Sequence, residues 1–344
     1  MAQKLIGQVL LRKYRVDEFI AAGGMGAVYK VYDLTKNVYL AMKILNIEVD
    51  EDPSALILFK REANAYRNLS HPNIVPYYGI EQSSDAIFLL QNFIDGDSLK
   101  GILARPENRP FPIRETLTIM KAVCASLGYA HYKDVVHCDI KPGNILIDKG
   151  GNIFLTDFVI ARHAESTTTS IADAGTPAYM SPEQIRGDPV TPATDVYGLG
   201  VVLFEILTGQ RPFRGTEKST SGNQPSVKEK TREAHLSILP PNPQSIRSEI
   251  PIELAQVILK ALEKKPQDRY QTTQEFFCAI CSAFNTSVEQ VRDRINTNLV
   301  VIGESAPYVV NTPPQEVKPN PDNDLVKNSR WGSKPPAWIF MVLV

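Results

Sequence analysis

The sequence has few of the features that mark secreted, nucleic-acid-binding or repeat proteins. Its 344 residues include only 4 cysteines, too few for a disulfide framework and consistent with a reducing compartment. The formal net charge is −1, so no excess of basic residues predicts binding to nucleic acid or to acidic membranes. No internal repeat or heptad pattern is present. Residues 1–11 contain no long apolar core, so no signal peptide is predicted.

Apolar material for a large domain is plentiful. Hydrophobic residues make up 43% of the chain, and the length allows one two-lobed domain with a tail, or two domains. Cys278 and Cys281 form a C-x-x-C pair, but they lie in an apolar pattern with helical spacing. This pattern favours burial of both thiols on a helix face, with redox chemistry or metal binding as the alternative.

Three side chains with oxygen atoms flank two short apolar runs in the middle of the chain. They are Asp139, Asn144 and Asp157, and the runs 145–147 and 153–155 suit short strands. Carboxylate and amide oxygens are hard ligands for a divalent cation, and a carboxylate can also accept a proton. The arrangement predicts a cation and a proton-accepting carboxylate facing one pocket.

A glycine-rich turn joins two predicted strands within residues 14–32. The turn consists of Ala21, Ala22, Gly23, Gly24, Met25 and Gly26. Glycine lets the backbone approach a phosphate and direct its N–H groups toward it. A plain hairpin would look similar, so the turn alone is a weak sign of nucleotide binding.

A lysine and a glutamate occur on apolar faces of two consecutive predicted elements. Residues 38–45 alternate as a strand with Ala41 and Lys43 on one face. Residues 54–69 are predicted to form a helix, and Glu62 lies on its apolar stripe. Because a buried charge needs an opposite partner, a Lys43–Glu62 pair is predicted. A lysine that reaches water from an edge strand is the alternative.

In their order and spacing, these motifs resemble those of the eukaryotic-like protein kinases. Residues 137–144 are similar to the catalytic-loop pattern H-R-D-x-x-x-x-N, and residues 157–159 to D-F-G. Residues 21–28 resemble the Gly-rich loop G-x-G-x-x-G-x-V, and residues 175–183 the segment that ends in A-P-E. The amino-acid sequences of these segments are most similar to those of bacterial Hanks-type kinases. Lys141, two residues after Asp139, fits serine/threonine specificity by the same resemblance.

Four positions depart from the family pattern. Cys138 stands at the usual arginine, Val159 at the glycine of D-F-G, Ala21 at the first glycine of the Gly-rich loop and Ser181 at the alanine of A-P-E. A β-branched residue resists dihedral angles that glycine allows, so a pseudokinase or weakly active ATP-binding scaffold is the competing hypothesis. All the groups that would touch phosphate, metal and hydroxyl are present, which favours an active enzyme.

The resemblance implies an α+β, two-lobed protein kinase-like fold. A small β-rich N-lobe with one helix and a larger, mainly helical C-lobe are expected. The expected divisions are an N-terminal extension at 1–13, a kinase domain at 14–285 (N-lobe 14–93, C-lobe 94–285), a mostly flexible juxtamembrane-like linker at 286–336 and an apolar tail at 337–344.

The same resemblance implies phosphoryl transfer from ATP to serine or threonine hydroxyls of protein substrates. Asp139 is the expected proton acceptor, and Lys141, Lys43 and Glu62 complete the expected catalytic set. Asn144 and Asp157 are the expected ligands of Mg²⁺, with Mn²⁺ as an alternative. Nucleotide contacts are expected from Ile20, Ala21, Ala22, Gly23, Gly24, Met25, Gly26, Val28, Ala41, Lys43, Asn92, Ile94 and Leu146.

A polar segment after D-F-G is the expected activation segment. Its candidate phosphorylation sites are Ser166, Thr167, Thr168, Thr169, Ser170 and Thr176. Family members with arginine at the position of Cys138 can pair it with a phosphate on this segment. Cysteine supplies no cation, so activity is predicted not to depend on a phosphate held there, unless Arg162 or another cation substitutes. Self-association for autophosphorylation is a further expectation.

Several elements outside the motifs are also predicted. Core helices are expected at 116–133, 195–207, 252–264 and 273–284. Asp195 is expected to anchor the catalytic-loop backbone, and Arg269 to pair with Glu183, with surface charge as the alternative for both. The polar insert 215–233 is predicted to be a mobile surface loop, and residues 287–300 one further helix.

The apolar tail 337–344 resembles the start of a membrane helix, since it contains Trp338 and follows Arg330 and Lys334. A complete span needs roughly 20 residues. Three interpretations compete. The chain is a shortened form of a kinase anchored at the inner face of the cell membrane with a cytoplasmic kinase domain, or the tail docks on the protein itself or on a partner, or the end is uninformative.

Overall fold

The computed structural model describes residues 5–23, 26–45, 66–83, 86–108, 111–158, 162–163, 177–216 and 226–284. Several predictions lie outside these residues: those for Gly24, Met25, Glu62, Val159, Ser166, Thr167, Thr168, Thr169, Ser170, Thr176, most of the helix 54–69, the helix 287–300 and the tail segments 286–336 and 337–344.

Within the described residues the chain divides into two compact units. One takes in residues 5–45 and 78–93, and the other residues 66–77 and 94–284. Strands form the first unit, and all seven described helices lie in the second. The predicted two-lobed α+β fold is confirmed.

A six-stranded sheet with the order β1-β2-β3-β4-β6-β5 forms the first unit. Its strands are β1 (Val9–Leu10), β2 (Tyr14–Gly23), β3 (Gly26–Asp33), β4 (Val38–Leu45), β5 (Tyr77–Gln82), which begins at the unit boundary, and β6 (Ile87–Asn92). Side chains on one face, Tyr29, Val31, Leu40 and Met42 among them, form a hydrophobic core. Alternation along β4 therefore places Lys43 on the opposite face, as predicted.

In the second unit, a buried helix packs against other helices and a small sheet. Its helices are α1 (Leu99–Ala104), α2 (Ile113–Tyr132), α3 (Pro182–Arg186), α4 (Pro192–Thr208), α5 (Val227–Ser237), α6 (Ile252–Ala261) and α7 (Thr273–Ala283). Its strands are β7 (Gly96–Ser98), β8 (Val135–Val136), β9 (Ile145–Asp148), β10 (Ile153–Leu155) and β11 (Arg162–His163). Because nearly every residue of α4 is buried, this helix is the centre of the unit's core.

The four predicted core helices correspond to α2, α4, α6 and α7, with ends shifted by a few residues. The predicted hairpin of 145–147 and 153–155 is the antiparallel pair β9–β10. These elements were predictable because apolar residues mark them, as a stripe with helical spacing in α2 and as continuous runs in α4, β9 and β10.

The insert 215–233 is not a loop throughout, so that prediction is wrong for its second half. Helix α5 begins at Val227 and continues beyond the insert. The Ser226 hydroxyl accepts a hydrogen bond from the Glu229 amide at 3.3 Å, and the Glu229 carboxylate accepts one from the Ser226 amide at 2.7 Å. This capping box stabilises the first turn of a helix whose composition is mostly polar.

Burial is confirmed for Cys281 and wrong for Cys278, which is exposed; neither residue forms a disulfide bond. In the described part of the chain, no group of three or more His, Cys, Asp or Glu residues is arranged as a metal site. None of the described helices combines the length and the hydrophobicity needed to cross a membrane.

Candidate active site

Lys43 occupies a buried position on the sheet face opposite the hydrophobic core. Its neighbours across the sheet are Val28 on β3 and Leu89 on β6, and Ala21 on β2 lies opposite Val28. The lysine is only 8% exposed. Burial of an ammonium group requires compensating polar contacts, and the predicted partner Glu62 lies outside the described residues.

The glycine-rich turn closes the hairpin of β2 and β3. Gly23 pairs with Gly26, and Gly26 has a φ of 139°, which side chains with a Cβ rarely adopt. The register shifts between Phe19 and Ala21. The predicted residues Ile20, Ala21 and Ala22 lie in the last part of β2, so this strand includes the first residues of the predicted turn. Ala41 lies two residues before Lys43 on β4 and therefore shares a sheet face with Lys43 and its partner Val28.

The loop between β8 and β9 brings two predicted site residues, Lys141 and Asn144, to the carboxylate of a third, Asp139. Lys141 Nζ lies 2.6 Å from Asp139 Oδ2, and Asn144 Nδ2 donates to the same oxygen at 3.0 Å. Asn144 Nδ2 also donates to the Asp139 carbonyl at 2.8 Å. Both side-chain contacts use Oδ2, so the geometry fixes the carboxylate without using Oδ1.

A backbone hydrogen bond joins Asn144 to the residue that precedes Asp157. The Thr156 amide donates to the Asn144 carbonyl at 3.0 Å, and Asp157 follows directly. Because Asn144 Nδ2 binds Asp139, its Oδ1 is the atom available to a cation. An amide oxygen and a carboxylate fit Mg²⁺, which usually takes one or two carboxylates together with substrate phosphates and water. The donor set therefore fits a divalent cation without a larger cluster.

Asp195, in the first turn of α4, anchors the catalytic loop. Its Oδ1 accepts from the Cys138 amide at 2.8 Å, and its Oδ2 accepts from the His137 amide at 2.8 Å. The His131 ring nitrogen Nε2 lies 2.7 Å from Oδ2. The prediction that Asp195 anchors the loop backbone is confirmed.

Close approach of α4 to the loop depends on a glycine. A Cβ on Gly198 would lie 3.0 Å from the Cβ of Ile140, which follows Asp139. This distance is too short for an ordinary side-chain contact without movement of Ile140. The helix backbone therefore lies directly against the loop at this point.

His137 links the catalytic loop to the residues around Asp157. Its Nε2 lies 3.0 Å from the Thr156 carbonyl, and its ring centre is 4.5 Å from that of Phe158. Phe158 also packs against Tyr66 with ring centres 5.6 Å apart. Asp157 itself has a φ of 62°, which is uncommon for a residue other than glycine.

Glu183 and Arg269 form the predicted ion pair. Arg269 Nη1 and Nη2 lie 2.7 and 2.8 Å from the two carboxylate oxygens, and Thr194 Oγ1 donates to Oε1 at 2.9 Å. Burial tends to raise the pKa of the Glu183 carboxyl, but the hydrogen bonds and charge of Arg269 hold that pKa below its usual range.

The remaining predicted nucleotide contacts occupy positions in both units. Asn92 ends β6 opposite Leu40. In the second unit, Ile94 belongs to a small apolar cluster with Val75 and Phe154, against which Leu146 packs. The structure thus brings Ile94 and Leu146 together.

Two residues that support the loop were not predicted. His131 contacts Asp195, and Gln184 Nε2 donates to the Cys138 carbonyl at 2.6 Å. The S-x-x-Q spacing of Ser181 and Gln184 predicts a capping box, which is present. No local pattern, however, indicates a contact between residues 46 positions apart.

Comparison with known proteins agrees with this geometry. A family model, the protein kinase domain, matches residues 14–278. The chain is 35% identical over 302 residues to the serine/threonine-protein kinase PrkC of Bacillus subtilis, covering 87% of this chain and 44% of PrkC. It is 35% identical over 270 residues to the serine/threonine-protein kinase PknB of Mycobacterium leprae, covering 76% of this chain and 42% of PknB.

The chain therefore spans less than half the length of these curated relatives. Among solved structures, the PknI kinase domain of M. tuberculosis superposes with a TM-score of 0.64 at 24% identity. That match covers 82% of this chain and all of the PknI domain, and it supports the fold. Sequence match, fold and site geometry agree: the chain belongs to the protein kinase domain family, with relatives among bacterial serine/threonine kinases.

Proposed function

We propose that this protein transfers the γ-phosphate of ATP to serine or threonine hydroxyls of protein substrates. The observation that carries the proposal is the Asp139 carboxylate, which Lys141 contacts at 2.6 Å and Asn144 at 3.0 Å. A base, a cation and an amide that can hold a metal are thereby placed around one point. Phosphoryl transfer requires this kind of positioning and charge neutralisation more than covalent chemistry.

Each side chain has a proposed role. Asp139 accepts or orients the proton of the attacking hydroxyl, and Lys141 neutralises charge on the transferred group. Asn144 and Asp157 would hold Mg²⁺, with Mn²⁺ as a substitute, and the bound ion would supply positive charge to balance that of the phosphates. Lys43, paired with Glu62, binds the α- and β-phosphates.

Further proposals concern the contacts to ATP, the limits of the kinase domain, its location in the cell and its partners. The glycine-rich turn, Val28, Ala41, Asn92, Ile94 and Leu146 contact ATP within a kinase domain that spans 14–285. The domain works in the cytoplasm, where ATP is available and cysteine thiols stay reduced. Its partners are proteins with Ser or Thr acceptors, including a second copy during autophosphorylation.

The proposal is tested with purified protein, γ-labelled ATP, Mg²⁺ and a serine- and threonine-rich acceptor protein. Asp139→Asn keeps the size of the side chain but removes the base, so transfer is expected to fall by about 10²–10⁴-fold. A chelator is expected to abolish transfer, and added Mn²⁺ to restore part of it.

Equal incorporation by the wild-type protein and Asp139→Asn would contradict catalysis by this site. Binding of ATP without transfer in both proteins would support the scaffold hypothesis instead. Phosphoamino-acid analysis of the labelled acceptor checks the specificity, since phosphotyrosine as the main product would contradict the serine/threonine assignment.

A further inference from the structure

Gln184 connects the short helix α3 to the catalytic loop. Its Nε2 donates to the Cys138 carbonyl at 2.6 Å. Its Oε1 accepts from the Ser181 amide at 3.0 Å and from the Ser181 hydroxyl at 3.2 Å. Because Ser181 supplies two donors, it holds Oε1 on its own side and directs Nε2 toward Cys138.

The carbonyl that Gln184 binds belongs to the peptide that joins Cys138 to Asp139. The amide of Cys138 is held by Asp195 at 2.8 Å. Cys138 has a φ of 64°, a conformation that non-glycine residues avoid unless the surroundings impose it. Side chains from α3 and α4 thus fix both polar groups of Cys138, and rotation of the peptide before Asp139 would break the Gln184 bond.

Helix α3 is itself firmly attached. Glu183, the neighbour of Gln184, binds Arg269 through both oxygens. Arg269 Nη1 also donates to the Ala193 carbonyl at 3.0 Å, two residues before Asp195. Arg269 therefore links α3, which carries Gln184, to the first turn of α4, which carries Asp195.

We propose that Gln184 is a positioning residue that holds the Cys138–Asp139 peptide, and with it the Asp139 carboxylate, in the orientation needed for phosphoryl transfer. The inference rests on the proposed function of Asp139. The contact is made to a backbone carbonyl, so it needs neither a cation at position 138 nor a phosphate on the preceding segment.

Two substitutions separate this role from stabilisation of α3. Gln184→Glu keeps an acceptor for the Ser181 amide and hydroxyl, so the capping box survives, but it removes the donor to Cys138. Gln184→Met removes the same donor without adding a charge. Gln244→Glu is the matched control, because Gln244 Nε2 donates to the Ile250 carbonyl at 2.9 Å, away from the catalytic loop.

Three measurements are made on the whole chain. Amide hydrogen exchange in residues 137–139 is expected to be at least about tenfold faster in both Gln184 variants and unchanged in the control, since one hydrogen bond of ordinary strength is lost. The kcat for phosphoryl transfer is expected to fall about tenfold with the KM for ATP changed less than twofold. The Tm of Gln184→Glu is expected to fall by no more than about 5 °C, since one hydrogen bond is lost while the capping box of α3 is kept.

Unchanged exchange in both Gln184 variants overturns the inference, whatever the activity. A normal kcat in Gln184→Glu with a reduced kcat in Gln184→Met also overturns it, since that result assigns Gln184 only to helix capping. If the wild type is as inactive as Asp139→Asn, the proposed function fails, and the exchange measurement alone still decides whether Gln184 holds the peptide.

Discussion

Arg269 binds both carboxylate oxygens of Glu183, at 2.7 and 2.8 Å, across 86 positions of sequence. The same guanidinium donates to the carbonyls of Ala193, Glu263 and Lys264. One side chain therefore joins α3, the start of α4 and the segment after α6. Since the group is buried, its removal leaves several acceptors without a donor.

Arg269→Met is expected to lower the free energy of unfolding by about 3–5 kcal/mol, because it leaves the Glu183 carboxylate buried and unpaired. Urea unfolding of the purified protein measures this change. The double variant Arg269→Met with Glu183→Gln is the control and is expected to recover part of the loss, since the unpaired charge is gone. A loss below about 1 kcal/mol in the single variant would show that the pair contributes little.

A buried imidazole predicts a loss of stability in acid. Burial, with the charges of Lys264 and Arg211, lowers the pKa of His235 from 6.5 to about 3. Between these two pKa values the unfolded chain binds one more proton than the folded chain. The contribution of neutral His235 to the free energy of unfolding is therefore complete above pH 6.5 and is lost as the pH falls toward 3. The slope is at most about 1.4 kcal/mol per pH unit.

His235→Gln removes this titration, so its unfolding free energy is expected to change less between pH 6.5 and 4.5 than that of the wild type. Tyr197→Phe is the control: it removes the hydroxyl 2.8 Å from His235 Nδ1 but keeps the imidazole, and the wild-type slope is expected to remain. Identical slopes for His235→Gln and the wild type would exclude His235 as the source.

Replacement of Ser166, Thr167, Thr168, Thr169 and Ser170 by alanine is expected to leave most of the kinase activity intact. Cys138 cannot pair with a phosphate on that segment. The backbone of Cys138 is instead held by Asp195 and Gln184. Initial rates of phosphoryl transfer measure the effect, with circular dichroism as the check on folding. Complete loss of activity in a folded variant would contradict the prediction.

Val159→Gly is expected to raise turnover. A β-branched residue at this position resists dihedral angles that the glycine of D-F-G allows, at a cost of about 1–3 kcal/mol if the active state needs them. Single-turnover rates with saturating Mg-ATP measure the change, and Val159→Ala serves as the control that keeps a Cβ without the branch. A turnover in Val159→Gly equal to that of the wild type would refute the strain argument.

Most of the fold was predictable because its elements carry local signals. The alternation in β4 placed Lys43 on the face opposite to that of Leu40 and Met42. A helical period located α2, and a continuous apolar run located α4. Helix α5 was missed because its polar composition outweighed the capping box of Ser226 and Glu229. Helix propensity and polarity are weak predictors of a helix when a few hydrogen bonds at its end decide whether it forms.

The chemistry-bearing residues of the site were predictable, whereas the residues that hold them were only partly so. Asp139, Asn144 and Asp157 stand in a compact motif, and Asp195 and Arg269 follow from the family pattern. Gln184 and His131 act through tertiary contacts that no sequence period encodes. Such residues become visible only when the backbone that they contact has been placed.

The missing side chain at Gly198 determines how the catalytic loop opens. With no side-chain layer between α4 and Ile140, the loop rests on the backbone of the most buried helix. At this point the loop has no room to move toward the helix, so any opening of the loop carries it away from α4. The amides of His137 and Cys138 exchange through such a local opening, which breaks their bonds to Asp195 while α4 stays folded.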